Sequence, residues 1–206
     1  MRPGRWVEGQ DRTFIEAARR AQIVTAAIDT IAEVGYAGAS FARIAERLGI
    51  SRGLISYHFA GKEDLMRQVV HEAAEEAKAY IAPRVLSQST GPAMLSAYIE
   101  SNLAFMRDHR NNVVAMIGIA RSSEAGHVFH GDADVVNAVS ALEHGLSDFQ
   151  KVGQLRSDFD PRVMAVAIRA TIDAASSRLA MDPAFDLDHY SSEITTTFLL
   201  ATTIEA

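Results

Sequence analysis

The fold of this chain is decided by residues 40–65, whose sequence is SFARIAERLGISRGLISYHFAGKEDL. Counted from Phe41, apolar residues recur at i, i+3, i+4 and i+7, the spacing that places them on one face of a helix. Gly49 ends that helix, because a residue without a Cβ atom adopts the left-handed conformation at no steric cost. Ser51 then occupies an N-cap position, where its hydroxyl accepts from the first free amides of the next helix. The pattern predicts two short helices joined by a tight turn.

The second of these helices leaves polar, basic and aromatic groups on its outer side. Ile50 and Ile55 turn inward, and Ala45 is small where the two helices cross. The residues on the outer side are Arg52, Gly53, Ser56 and Tyr57. This arrangement is typical of a DNA-reading helix-turn-helix, in which the second helix enters the major groove.

The composition is that of an ordinary globular protein. The 206 residues suit one or two domains, and 48% of them are hydrophobic and 22% charged. The absence of cysteine excludes disulfides and thiolate metal sites. The chain starts without the apolar segment of a secretory signal, and no apolar run approaches the ~20 residues that cross a bilayer. We expect a cytoplasmic protein with no membrane partner and no cofactor.

The net charge of −6 is divided unevenly along the chain. Residues 1–71 contain ten basic and eight acidic side chains, a balance of +2. Residues 72–206 contain ten basic and eighteen acidic side chains, a balance of −8. The more positive part coincides with the candidate DNA reader. We predict an N-terminal arm and helix-turn-helix DNA-binding domain over 1–71, and a helical ligand-binding and dimerisation domain over 72–206.

Helical periodicity dominates the rest of the chain, and no two-residue alternation marks a strand. Gly35 and Pro83 are expected to end two of the helices, while Asp160 and Pro161 suit the start of another. The predicted helices cover 13–34, 41–48, 52–59, 62–80, 93–108, 112–123, 133–152, 161–180 and 188–204. The sequence thus predicts an all-α fold of about nine helices, with the helix-turn-helix in front and a larger helical part behind.

The front part resembles the DNA-binding domain of the tetracycline-repressor (TetR) family of regulators. The segments AEVGYAGAS, IAERLGIS and RGLISYHFAGKEDL carry the resemblance, which spans roughly residues 20–70. It implies contacts with base edges for Arg52, Gly53, Leu54 and Ser56. The residues assigned to phosphate contacts are Ser40, Arg43, Tyr57, His58 and Lys62. Many members have a tyrosine where this chain has Ser56, so base recognition depends mainly on Arg52.

The side-chain chemistry agrees with these roles. An arginine forks onto O6 and N7 of a guanine, which is worth about 1–3 kcal/mol of discrimination. Hydroxyl, imidazole and ammonium groups donate to phosphate oxygens. Two alternatives to phosphate contact stay open: packing of the Tyr57 ring on a neighbouring helix, and a place in the core for His58. Arg2 and Arg5 lie in an arm that either enters a minor groove or is a solvated tail.

The rear helices offer a dimer interface and a ligand pocket. A single reading helix does not hold an operator, so we expect a homodimer that addresses half-sites about 34–36 Å apart. The residues assigned to the interface, or alternatively to the core of one subunit, are Ala167, Ala170, Ala174, Ile194, Phe198 and Ala201. The residues assigned to a pocket for a small apolar effector are Asn102, Phe105, Met106, Met116, Ile119, His127, Phe129 and Asp173.

Together these features predict a ligand-responsive repressor that binds a palindromic DNA operator as a homodimer. The first alternative is an enzyme or small-molecule carrier on a helical scaffold, although the chain has no GxSxG, phosphate-loop or HExxH motif. The second alternative is an architectural protein that bends DNA. Glu124, His127 and His130 have a spacing that presents three ligands to a metal, but the neighbouring glycines favour a loop, and we predict no metal site.

Overall fold

The computed structural model describes residues 7–122, 133–182 and 184–204. Those ranges form nine α-helices and no strand, which confirms the predicted fold class. The helices are α1 (Val7–Gly38), α2 (Phe41–Leu48), α3 (Arg52–His58), α4 (Lys62–Leu86), α5 (Gly91–Asp108), α6 (Arg110–Ala120), α7 (Ala133–Lys151), α8 (Pro161–Met181) and α9 (Leu187–Thr202). Within the same ranges no helix combines the length and the apolarity needed to cross a bilayer.

Two helices differ from their predicted limits by more than three residues. The sequence predicts an end of α4 near residue 80, but the helix continues through Pro83 to Leu86. A proline removes one hydrogen bond and bends a helix without ending it when less than a turn remains, and the N–H of Ser87 still donates to the Pro83 carbonyl at 3.2 Å. α1 starts well before residue 13, and Gly35, with a φ of 73°, interrupts it before a last turn.

The first core lies between α1, α2, α3 and α4, and α6 closes it from behind. Ile44, Ile55 and Phe59 are fully buried there. Ala115 and Ile119 of α6 belong to the same core and have no exposed surface. The front helices are therefore held in place by a helix from the rear part of the chain.

The second core lies between α5, α7, α8 and α9. Its fully buried members include Leu95, Ile99, Leu146, Ile168 and Ile172. α4 reaches both cores, since Met66 lies in the first and Val85 packs against the second. The predicted boundary at residue 71 lies inside this helix, and the division of the chain into two domains stays a prediction.

Candidate functional site

Two serine caps and one left-handed glycine fix α3 against α2. Ser40 Oγ accepts from the backbone N–H of Arg43 at 3.3 Å, at the start of α2. Gly49 follows α2 with a φ of 63°, in the left-handed region. Ser51 Oγ accepts from the backbone N–H of Leu54 at 3.2 Å, at the start of α3. Because each cap satisfies an amide that has no partner within its helix, local sequence sets the position of α3.

The outer side of α3 is exposed as the sequence predicts. Arg52, Gly53 and Ser56 are exposed, whereas Leu54 is half-buried. Tyr57 is 68% exposed, which argues against the alternative that its ring only packs on a neighbouring helix. Three of the four residues assigned to base contacts thus share the free side of α3, and Leu54 is partly turned toward the protein.

Gly53 is not required by the protein's own packing. A Cβ atom at this position would meet only Ser51 Oγ, at 3.8 Å, which is an ordinary contact. The backbone there is helical, and any residue adopts it. A glycine on the outer side of a helix lets the backbone come close to whatever lies against that side.

The side chains assigned to phosphate contacts lie at the ends of α2 and α3. Ser40 and Arg43 are exposed at the start of α2, and His58 is half-buried at the end of α3. The rings of Tyr57 and His58 meet edge to face, with their centres 5.1 Å apart. The phosphate contacts of these residues stay a prediction.

Lys62 has an intramolecular role that the sequence does not reveal. Its Nζ donates to the backbone carbonyl of Tyr36 at 2.6 Å and lies 4.0 Å from the centre of the Tyr36 ring. Tyr36 itself is buried, so this contact ties the start of α4 to the end of α1. The predicted phosphate contact of Lys62 is untested, and the same ammonium group is part of the fold.

Arg20 of α1 holds the end of α3, a role that the sequence analysis missed. Its guanidinium donates to the backbone carbonyl of His58 and lies 4.3 Å from the centre of the Phe59 ring. That carbonyl is among the last of its helix and has no partner within it. The only sequence signal is that Arg20 precedes the buried Ile23 by about one helical turn, which places it beside the core face of α1.

α6 meets the front helices at a shallow, largely polar cleft of about 330 Å³. The residues around the cleft are Asp29, Ala32, Glu33, Arg47 and Asn111. Asn111 Nδ2 donates to Asp29 Oδ1 at 2.8 Å, and Arg47 pairs with Glu33. The cleft lies where α6 meets α1 and α2, and its polar lining does not suit an apolar effector.

The apolar residues predicted to line one pocket lie in different parts of the structure. Ile119 is in the first core, whereas Met106 is in the second. Phe105 faces the start of α6 and stacks on His109, with ring centres 4.4 Å apart. Met116 is half-buried on α6. α6 packs most extensively against α1, although Val113 of α6 lies in the second core beside residues of α5. The grouping of these residues into one effector pocket stays a prediction.

The remaining histidine-rich segment lies outside the described residues. The predicted residues in it are Glu124, His127, Phe129 and His130. Among the residues that are described, no three His, Cys, Asp or Glu side chains are placed to hold a metal ion.

Asn102 of α5 and Asp173 of α8 are joined by Arg169, which the sequence analysis did not single out. Arg169 Nε donates to Asp173 Oδ1 at 2.9 Å, and Nη1 donates to Asn102 Oδ1 at 3.2 Å. Burial lowers the pKa of Arg169, but the hydrogen bonds and the negative charge of Asp173 outweigh it, so the pKa is raised and the group stays charged. Two of the polar residues assigned to the pocket therefore belong to one cluster.

The outer sides of α8 and α9 present apolar residues to solvent. Ala167, Ala170 and Ala174 are exposed on α8. Larger exposed apolar side chains on the two helices are Val163, Val166, Met181 and Leu200, and Ile204 follows the end of α9. The α9 residues assigned to the interface are half-buried instead: Ile194, Phe198 and Ala201. Ile194 and Phe198 pack against the second core. Apolar side chains exposed on an outer face are typical of an interaction surface.

The part of the chain that contains α2 and α3 matches a known protein family. Residues 23–69 match the family model described as bacterial regulatory proteins, tetR family. The HTH-type transcriptional regulator BetI of Cronobacter sakazakii is 31% identical over 111 residues, which cover 53% of this chain and 55% of that protein. The chain thus spans about half the length of this relative.

Two solved structures share the fold along most of the chain. The fatty acid degradation regulator FadR from Bacillus halodurans has a TM-score of 0.77 at 20% identity, over 88% of this chain and 94% of that one. FadR from Bacillus subtilis, solved in complex with stearoyl-CoA, has a TM-score of 0.74 at 21% identity, over 87% and 97%. At these identities the likeness shows the fold alone.

Proposed function

We propose that this chain, which belongs to the TetR family of bacterial regulatory proteins, is a homodimeric repressor of a palindromic DNA operator that a small apolar effector releases. The observation that carries the proposal is the exposed outer side of α3, held by caps at both ends of the turn. The protein acts in the cytoplasm as a regulator and not as an enzyme. Residues 1–71 bind DNA, and residues 72–206 bind the effector and the second subunit.

Recognition of DNA divides between bases and phosphates. α3 enters the major groove with its N-terminal residues toward the base edges, so Arg52 at its first position reaches a base. An arginine there forms two hydrogen bonds with a guanine. Arg43 and Tyr57, which are exposed near the ends of α2 and α3, contact phosphates and set the orientation of the helix.

Replacing Arg52 with alanine tests this division. We expect Arg52→Ala to weaken binding to the preferred operator by about 1–3 kcal/mol and to relax the preference at one base pair in each half-site. The measurement is fluorescence anisotropy with operators that differ at single base pairs, at one fixed salt concentration.

Arg43→Ala is the matched control, because this arginine is also exposed on the helix-turn-helix. It should weaken all sequences alike and lower the slope of log affinity against log salt by about one. If both variants changed the base preference equally, the assignment of Arg52 to base recognition would be wrong.

The open space beside Gly53 gives a second prediction. We expect Gly53→Ala to leave the free energy of unfolding unchanged or to raise it by up to about 1 kcal/mol, because alanine favours the helix and meets only an ordinary contact. Binding of the operator should nevertheless weaken, because the added methyl group keeps the backbone away from the groove. Urea unfolding and operator titration measure the two effects. A variant that binds the operator as well as the original protein contradicts the close approach at this position.

The rear part supplies dimerisation and the response to the effector. The exposed apolar sides of α8 and α9 support the packing of two subunits into a four-helix bundle, which is a common solution for such faces. An effector that binds better to the form whose α3 helices are too far apart for two half-sites lowers the affinity for DNA. Bound DNA lowers the affinity for the effector by the same factor. The hydrogen bond of Asn111 to Asp29 and the burial of Ile119 support α6 as the connection.

The proposal as a whole is tested with purified full-length protein. Selection from a pool of random duplexes should enrich a palindrome with half-sites about one helical turn apart, and its binding should fall steeply with salt. Failure to enrich any palindrome would falsify the repressor assignment. Equal affinity for all sequences would favour an architectural protein instead.

A further inference from the structure

Two hydroxyl groups in the second core make no hydrogen bond with any described residue. They are Tyr98 Oη on α5 and Thr195 Oγ1 on α9, and the two residues are 9% and 6% exposed. Buried hydroxyl groups are nearly always paired, so an unpaired one needs an explanation. Tyr98 is the more informative, because its hydroxyl lies near the guanidinium of Arg169 and adds to the interactions that raise the pKa of that arginine. The two groups nevertheless do not have the geometry of a hydrogen bond.

Arg169 has donors that its protein partners do not use. A guanidinium carries five N–H groups in a planar fork. Three of them are engaged by hydrogen bonds, two with Asp173 and one with Asn102. The side chain is only 19% exposed, so the other two N–H groups and the Tyr98 hydroxyl form a small set of donors inside an apolar core.

We propose that Tyr98 and Arg169 bind the acid group of the effector, a carboxylate on an otherwise apolar molecule. The inference rests on the effector-binding role given above and specifies the chemistry of the ligand. A carboxylate accepts several hydrogen bonds at once, and arginine matches it with two parallel bonds. The apolar remainder of the ligand lies among side chains of the second core, such as Leu95 and Ile172.

Asp173 holds the place of the ligand's acid group until the ligand binds. Its carboxylate already accepts two hydrogen bonds from Arg169, so the guanidinium is paired in the structure as described. The Asp173 side chain is 53% exposed, and it can turn into water when another carboxylate takes over its bonds. The exchange replaces one ion pair by another and leaves no buried charge without a partner.

The proposal is tested by titrating the full-length protein with dodecanoate and with dodecan-1-ol, which have the same chain and differ in charge. Dodecanoate should bind at least about tenfold more tightly, because its bonds to the arginine are charge-assisted. Tyr98→Phe and Arg169→Gln should each reduce this preference, whereas Asp173→Asn should strengthen dodecanoate binding. Arg162→Gln is the matched control on the same helix, and its ion pair with Glu143 lies away from the cluster, so the preference should stay.

Tyr98→Phe separates binding from folding. It removes an oxygen that has no hydrogen-bond partner, so thermal unfolding should occur at the same temperature or a higher one while dodecanoate binding falls. Equal affinities for the acid and the alcohol in the original protein overturn the proposal but leave an effector site and DNA binding intact. If dodecanoyl-CoA binds more tightly than dodecanoate and this binding depends on Arg169, the arginine binds a phosphate group and the proposed carboxylate site is wrong. If none of the three compounds binds, both the carboxylate site and the assumption of an aliphatic effector are wrong. Operator binding measured in parallel then shows whether the repressor assignment holds.

Discussion

Ala170→Glu should split the proposed dimer and weaken operator binding by about 10²–10⁴-fold. Ala170 is exposed on α8 among other apolar residues, where a second subunit would cover it. A glutamate there would place two like charges near the two-fold axis and require their burial without partners. Each monomer would then bind one half-site alone, and the gain from linking two reading helices would be lost. Sedimentation velocity and anisotropy with a full operator measure the two consequences.

Ala141→Glu is the matched control for this change, since it places the same charge at an exposed alanine on α7. It should leave both the oligomeric state and the operator affinity unchanged. A single half-site, titrated with Ala170→Glu, should bind as weakly as the full operator does. If Ala170→Glu stays a dimer with full affinity, the subunits meet elsewhere and the face formed by α8 and α9 has another role.

Phe59→Ala should destabilise the protein by about 3–5 kcal/mol, which is the range for removing a fully buried aromatic side chain. Phe59 is 1% exposed in the first core, and its ring also supports the guanidinium of Arg20. With the ring removed, Arg20 loses the surface on which it lies while it holds the last carbonyl of α3. The reading helix is then no longer fixed, so operator binding should fall even where the protein stays folded. Urea unfolding gives the change in free energy.

Phe14→Ala makes the same substitution at a side chain that is 75% exposed. It should change the free energy of unfolding by no more than about 0.5 kcal/mol. Similar small losses for both variants would show that the first core closes without Phe59.

The features that could be predicted from the sequence are those that neighbouring residues determine. Gly49 and Ser51 define the turn by their own conformational and hydrogen-bonding preferences, so the limits of α2 agree with the structure and those of α3 differ by one residue. The exposed positions of α3 follow from its short apolar face in the same way. The predicted end of α4 was wrong because a proline in the last turn of a helix does not have to end it, and α4 continues past Pro83 to Leu86.

The contacts that could not be predicted join residues far apart in the chain. Arg20 reaches His58, and Arg169 reaches Asn102, across separations that no periodicity encodes. The pocket residues of α5 and α6 were grouped by their similar chemistry, but Ile119 packs in the first core beside α1, whereas Met106 lies in the second. Composition shows which residues suit a ligand, whereas the packing of helices decides which of them meet.

The position of α6 also determines how the reading helices can be exchanged between relatives. A chain cut at residue 71 and joined to another rear part would lose Ala115 and Ile119, and with them one wall of the first core. A hybrid regulator made in this way would start with a cavity beneath its own DNA reader. The transplantable unit therefore comprises two separate stretches of chain, the front helices and α6, and a recipient must supply a helix that fits the same hollow.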